Sequence, residues 1–181
     1  MDAKIKKTIM IIGMMGSGKS SIGRRIAAHY NLPFIDSDKE VEKAAYCSVK
    51  DFFELYGADE FHRCEHRVIE RLLNGDICIL SSGGDAFLHP ETRALAKKKA
   101  ITVWLRADEE LLYKRLKGRD RRPQIPQDPE ALKGVIANFL AVRTPIYSEA
   151  DLTIESLDES SDKTAKRVIN ALDLFLMNNK K

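Results

Sequence analysis

The sequence predicts an α/β fold: one five-stranded parallel sheet covered by helices on both faces. Three observations carry that expectation. Short apolar runs alternate with helical patterns along the chain, and strand–helix–strand alternation with right-handed crossovers builds a parallel sheet buried on both sides. The glycine turns and paired carboxylates fall just after strands or in a long loop, and ligands of such sheets collect beyond the carboxyl ends of the strands. The 181 residues suit a single domain over 1–181, with no internal repeat and no linker to divide it.

In chain order, Thr8-Ile9-Met10-Ile11-Ile12 makes the first strand, and a helix follows at 19–30 after a glycine-rich turn. A second strand at 33–36 leads into helices at 39–46, 49–56 and 59–73. In the last of these, Phe61, Val68, Ile69 and Leu72 form an apolar stripe. The third strand, 77–81, precedes a helix at 90–98, and the fourth, 100–105, precedes one at 108–117. Residues 118–128, rich in Arg, Pro and Gln, are the one long irregular segment, and such loops often serve as lids. A helix at 129–142 leads to the fifth strand at 151–155. The closing helix, 162–176, sets Ala165, Val168, Ile169, Leu172, Phe175 and Leu176 on one face.

Composition narrows the class of function. Apolar residues are 44% and charged residues 31%, the balance of a soluble globular protein rather than a disordered one. With 30 Lys+Arg against 27 Asp+Glu the formal charge is +3, too mild for a nucleic-acid or membrane-surface partner. Cys47, Cys64 and Cys78 are odd in number and widely spaced, so buried free thiols in a reducing cytoplasm are expected rather than a disulfide or zinc site. The basic start and apolar run faintly imitate a signal peptide, but the run breaks at Gly13 into a glycine-rich loop. No stretch approaches the roughly 20 apolar residues of a membrane span.

Gly13-Met14-Met15-Gly16-Ser17-Gly18-Lys19-Ser20 satisfies G-x-x-x-x-G-K-[ST] between a strand and a helix. Glycines let backbone N–H groups turn inward around phosphate oxygens, and the helix N-terminus adds partial positive charge. Lys19 can reach the β and γ phosphates and the Ser20 hydroxyl can ligate Mg²⁺. Gly13, Gly16, Ser17, Gly18 and Ser21 complete the candidate nucleotide site. No N-K-x-D or T-K-x-D segment reads guanine. Leu80-Ser81-Ser82-Gly83-Gly84 faintly resembles the signature of ABC transporter ATPases, but it lies much too close to Lys19, and Asp85 replaces the final glutamine.

Phe34-Ile35-Asp36-Ser37-Asp38 places two carboxylates two residues apart at the end of the second strand. In an extended chain they share one face, so one can hold Mg²⁺ through water while the other takes a hydroxyl proton. Ser37-Asp38-Lys39-Glu40 also reads as a capping box for the next helix.

Together these segments resemble the shikimate kinase family, over about 8–171. The resemblance rests on Gly13 to Gly23 (G-x-x-G-x-G-K-S-x-x-G), F-I-D-S-D, Phe61 to Glu65 (F-x-x-x-E), Gly83-Gly84, Arg122-Pro123 and Arg143 to Asp151 (R-x-P-x-Y-x-E-A-D). It implies a P-loop kinase-type three-layer α/β/α fold with a helical substrate-binding region, about 37–74, and a lid at about 118–128. The implied reaction moves the γ-phosphoryl group of ATP to the 3-hydroxyl of shikimate, in aromatic amino-acid biosynthesis, in a cytoplasmic monomer. By position, Lys19 and the loop hold the phosphates, Ser20 and Asp36 serve Mg²⁺, and Asp38 contacts the acceptor hydroxyl as the candidate base. Arg115 matches the arginine that stacks on adenine, and Arg122 is the lid arginine. Glu65, Arg143, Gly83 and Gly84 fall in the acceptor site.

The family's G-E-x-x-F-R-x-x-E reads here from Gly57 to Glu65 with Ala58 for the glutamate and His62 for the arginine. The Gly-Gly-Gly turn ends in Asp85, and R-P-L-L becomes Arg122-Pro123-Gln124-Ile125. A neutral histidine offers one donor where an arginine offers a charged fork, so these changes bear on the acceptor and not on phosphoryl transfer. Two rival readings remain: a sugar-acid kinase such as gluconate kinase, and a nucleotide-binding homologue with weakened catalysis. The first family prefers D-G-D followed by histidine, whereas Asp36-Ser37-Asp38 is followed by Lys39-Glu40.

Overall fold

The apolar run Thr8–Ile12 becomes strand β1, buried throughout, in the middle of a five-stranded sheet. The structure is a computed structural model, and it describes residues 5–118 and 125–179. The other strands are Phe34–Asp36 (β2), Ile79–Ser81 (β3), Ala100–Arg106 (β4) and Leu152–Glu155 (β5). Their order is β2-β3-β1-β4-β5, and every pairing is parallel. The order in which strands are added therefore reverses at β1, with β3 on one side and β4 on the other, which opens a crevice at the sheet's carboxyl edge.

Strand alternation divides the core in two. Ile9 and Ile11, with Ile79, Val103 and Leu105, pack under helices Lys19–Tyr30 (α1) and Ser161–Asn178 (α7). Met10 and Ile12, with Leu80 and Trp104, face the opposite layer. That layer holds Val49–Leu73 (α3), Pro90–Lys99 (α4), Glu109–Leu116 (α5) and Pro129–Tyr147 (α6). Ile125, at the described end of the expected lid, is buried in the same layer.

Helices Ser37–Ala45 (α2) and α3 form a separate small cluster around Val41, Phe61 and Val68. The two helices expected at 49–56 and 59–73 run together as α3, broken at Gly57, whose φ of 80° and ψ of 174° are not helical. Helix α6 continues past the expected end at Val142 through Pro145 to Tyr147. The cysteines are all free thiols, but only Cys78, beside β1, is buried; Cys47 and Cys64 lie half-exposed in the α2–α3 region. Among the described residues no helix is long and apolar enough to cross a membrane.

Candidate active site

The turn after β1 lies tight against the end of β4. Gly13 has φ 142°, and a Cβ there would sit 2.6 Å from the Leu105 carbonyl oxygen, so a side chain would push the loop off the sheet. Gly18, in the left-handed region, caps α1, which begins at Lys19 and points its N-terminus into the loop. Lys19 curls over the loop, its Nζ donating to the carbonyls of Gly13 (2.8 Å) and Met14 (2.9 Å). Arg115 holds the loop from the other side: Nη1 donates to Gly16 O and Ser156 Oγ, both at 3.0 Å, and Nη2 to Leu157 O at 2.9 Å. Ser156 Oγ in turn donates to Ser17 O at 2.8 Å. Ser21 Oγ donates to Ser161 Oγ at 3.0 Å, tying α1 to α7.

Beside this loop, Ser20 Oγ donates to Asp36 Oδ2 at 2.9 Å and lies 3.4 Å from Ser81 Oγ. The shared-face argument for Asp36 and Asp38 needs correction. β2 ends at Asp36 and α2 begins at Ser37, so Asp38 sits in a first helical turn rather than on an extended strand. Asp36 is itself the cap, its Oδ1 accepting from Asp38 N at 3.1 Å. Ser37 is not the cap; its Oγ accepts from Gly83 N at 2.9 Å and ties the start of α2 to the turn after β3. Both carboxylates still line one cleft. The Ser20 hydroxyl and the Asp36 carboxylate are hard oxygen donors beside the phosphate loop, a set that fits Mg²⁺ completed by phosphate and water oxygens. Among the described residues no group of three or more His, Cys, Asp or Glu offers an all-protein metal cage.

The cleft holds about 790 Å³, and the loop, Asp36, Asp38, Gly83, Gly84 and Arg115 line it. Gly16, Gly18, Lys19, Ser20 and Ser21 belong to the same wall. Glu65 stands behind the Gly83-Gly84 turn. A Cβ on Gly83 would lie 2.2 Å from Glu65 Oε1 and 3.0 Å from Asp38 Oδ1, so only glycine lets these carboxylates approach. Glu65 is 2% exposed, and its burial, only partly offset by His62, pushes its pKa up. His62 Nδ1 lies 3.6 Å from Glu65 Oε2, and that carboxylate raises the His62 pKa against the opposing effect of burial. The His62 ring meets His89 with 4.2 Å between centroids. Arg143 is 5% exposed, seated over the Phe139 ring at 3.9 Å, with Nη2 at 2.5 Å from Asp85 Oδ1.

The expected site residues thus fall into two groups that meet at Gly83 and Gly84: the phosphate loop with both aspartates, and His62, Glu65 and Arg143. Arg122 lies outside the described residues. Sequence reasoning missed the residues that hold the site together. Ser156 and Ser81 sit at strand ends with no motif to mark them. The Tyr147 hydroxyl, which donates to Gly84 O, and Asp151, whose Oδ2 accepts from the N–H and hydroxyl of Thr102 at 2.7 Å each, stand inside the R-x-P-x-Y-x-E-A-D segment. That segment marked them without showing what they do.

A family model described as shikimate kinase matches residues 15–173. The chain belongs to the shikimate kinase family. A shikimate kinase from Paramagnetospirillum magneticum is 44% identical over 177 residues, which cover 97% of this chain and 89% of that protein. One from Bradyrhizobium diazoefficiens is 44% identical over 171 residues, covering 94% of this chain and 81% of that one. Among solved structures, shikimate kinase from Acinetobacter baumannii in complex with shikimate superposes with a TM-score of 0.88 at 29% identity, over 97% of this chain and 96% of that one. A gluconokinase from Sinorhizobium meliloti shares the fold, with a TM-score of 0.62 at 18% identity, over 97% of this chain and 98% of that one. The shikimate kinase likeness thus spans both groups of site residues.

Proposed function

We propose that this chain transfers the γ-phosphoryl group of ATP to the 3-hydroxyl of shikimate, giving shikimate 3-phosphate and ADP. The observation that carries the reading is the convergence of Lys19, Asp38 and the Gly83-Gly84 turn on one cleft in a member of this family. The loop N–H groups and the α1 N-terminus bind the phosphates, and Lys19 exchanges its carbonyl partners for phosphate oxygens. Arg115 contributes to the adenine side of the cleft. Ser20 and Asp36 would hold Mg²⁺, Asp36 through water, and the ion's charge would offset that of the β and γ phosphates.

Asp38 accepts the proton of the acceptor hydroxyl as that oxygen bonds to the γ phosphorus. The bond from that phosphorus to the bridging oxygen breaks, and ADP leaves with the electron pair. Arg143 receives the acceptor carboxylate, while Glu65, His62, Gly83 and Gly84 shape its ring site. The resemblance gives Arg122, which lies outside the described residues, the role of offsetting charge on the transferring phosphoryl group. The same reading makes the chain a cytoplasmic, monomeric, single-domain enzyme.

A coupled assay for ADP release with shikimate, gluconate or no acceptor tests the proposal. Shikimate-dependent release supports it. Release only with gluconate makes the chain a sugar-acid kinase, and no acceptor-dependent release leaves a nucleotide-binding homologue.

A further inference from the structure

A buried charge behind the Gly83-Gly84 turn has no place in the reaction above. Asp85 Oδ1 lies 2.5 Å from Arg143 Nη2, with side chains 16% and 6% exposed. The contact is one of charge alone, because this buried oxygen meets no donor in hydrogen-bonding alignment. The rest of the guanidinium touches Met14 Sδ, 3.4 Å from Nη1, and the Phe139 ring. Among the described residues Asp85 is therefore the only carboxylate that Arg143 engages. Arg143 also faces the turn, with Nη1 3.7 Å from where a Gly84 Cβ would stand.

We propose that Asp85 is an internal competitor for the acceptor's carboxylate: it occupies Arg143 when the pocket is free, and an acidic acceptor binds by displacing it. The proposal rests on the reading that Arg143 receives that carboxylate. Its physics is simple. A ligand carboxylate arriving at Arg143 comes up beside Asp85, and two like charges held against one guanidinium repel each other. The planar guanidinium rewards a bidentate, aligned partner. Asp85, short but misaligned, is the weaker occupant, and a free ligand carboxylate can meet both N–H groups of one edge. The exchange still costs the loss of the Asp85 contact, so Asp85 lowers affinity for the acid without touching phosphoryl transfer.

The test is calorimetric titration of shikimate into wild type, Asp85→Asn and Asp85→Glu, with steady-state kinetics on each. Asp85→Asn is expected to lower both the Kd and the KM for shikimate at least about 10-fold, the scale of a desolvated charge-assisted contact. kcat and the KM for ATP stay within about twofold, because the change removes no interaction special to the transition state. Asp85→Glu keeps the charge and keeps the weak binding. An Asp85→Asn enzyme with unchanged or raised shikimate Kd overturns the proposal, since Asp85 would then orient Arg143 for the substrate.

A measurement on wild type holds even if the variants fail to fold. Shikimate and its carboxamide are expected to differ in Kd by less than about 10-fold, because the carboxylate's gain is offset by the displaced ion pair. Discrimination above about 100-fold, the full worth of an unopposed charged contact, overturns the proposal. Wild type that turns over shikimate with no gain in Asp85→Asn refutes only the competitor. Absence of shikimate turnover in every protein refutes the functional reading beneath it.

Discussion

On the proposed reading, Lys19, Asp38 and His62 are each expected to leave a measurable signature. Lys19 Nζ donates to the Gly13 and Met14 carbonyls, contacts that a bound triphosphate is expected to replace. Lys19→Ala and Asp38→Asn are each expected to lose at least about 100-fold in turnover, measured as shikimate-dependent ADP release. Near-normal turnover of Asp38→Asn rules out its role as base. His62 carries the pH dependence. The neighbouring Glu65 raises its pKa above the ordinary 6.5, so its charge is fully present below that value and is lost as pH climbs through the raised one. The KM for shikimate is therefore expected to rise with pH across that interval in wild type. In His62→Arg it stays low and flat, because a guanidinium does not titrate there. A flat wild-type profile means His62 does not face the acceptor's charge.

At the scale of elements, the site is built where β1, β2 and β3 end and helices begin. Asp36 does two jobs at one such junction, capping α2 through Asp38 N and accepting from Ser20. Asparagine caps as well as aspartate but brings no charge to a metal's water shell. Asp36→Asn is thus expected to melt close to wild type while losing about 10- to 100-fold in activity, with saturation moved to higher Mg²⁺. A lowered melting temperature with unaltered Mg²⁺ dependence contradicts the metal role.

The same junction shows what the sequence could and could not reveal. The strands and α1 are legible because β-branched runs and the loop's glycines each have one physical solution. The exchange of cap from Ser37 to Asp36 is not. It depends on Gly83 N, 46 residues away, claiming the Ser37 hydroxyl. Likewise the Phe61–Leu72 stripe located Glu65 but not its neighbours. The approach of Asp85 to Arg143 joins a turn to a helix 58 positions on, and no local pattern encodes such a contact. Helix α6 outruns its expected end for a related reason: Tyr147, nearly fully buried, reaches Gly84 from the last turn.

For the whole molecule, two cores clamp one sheet, and the cleft sits at the carboxyl edge where loops from both layers meet. Ligands that bind only this assembled edge stabilise the folded chain by mass action. Shikimate at about 100 times Kd, added to the ATP-analogue complex, is expected to raise the melting temperature by a further 5–10 °C, roughly, for a domain of this size, read by scanning fluorimetry. No shift with shikimate, beside a shift with nucleotide, means the acceptor site does not take that acid. The overall charge of +3 is modest, and what matters is where cations stand: Lys19 and Arg115 at the loop, Arg143 under the turn. The central claim is that this edge joins phosphorus to the 3-oxygen of shikimate. It is tested most directly by phosphorus–proton correlated NMR of the product formed from ATP, Mg²⁺ and shikimate. The account predicts a phosphorus resonance coupled to the proton on carbon 3, appearing in step with ADP. Inorganic phosphate alone, or phosphorus coupled to another ring proton, contradicts it.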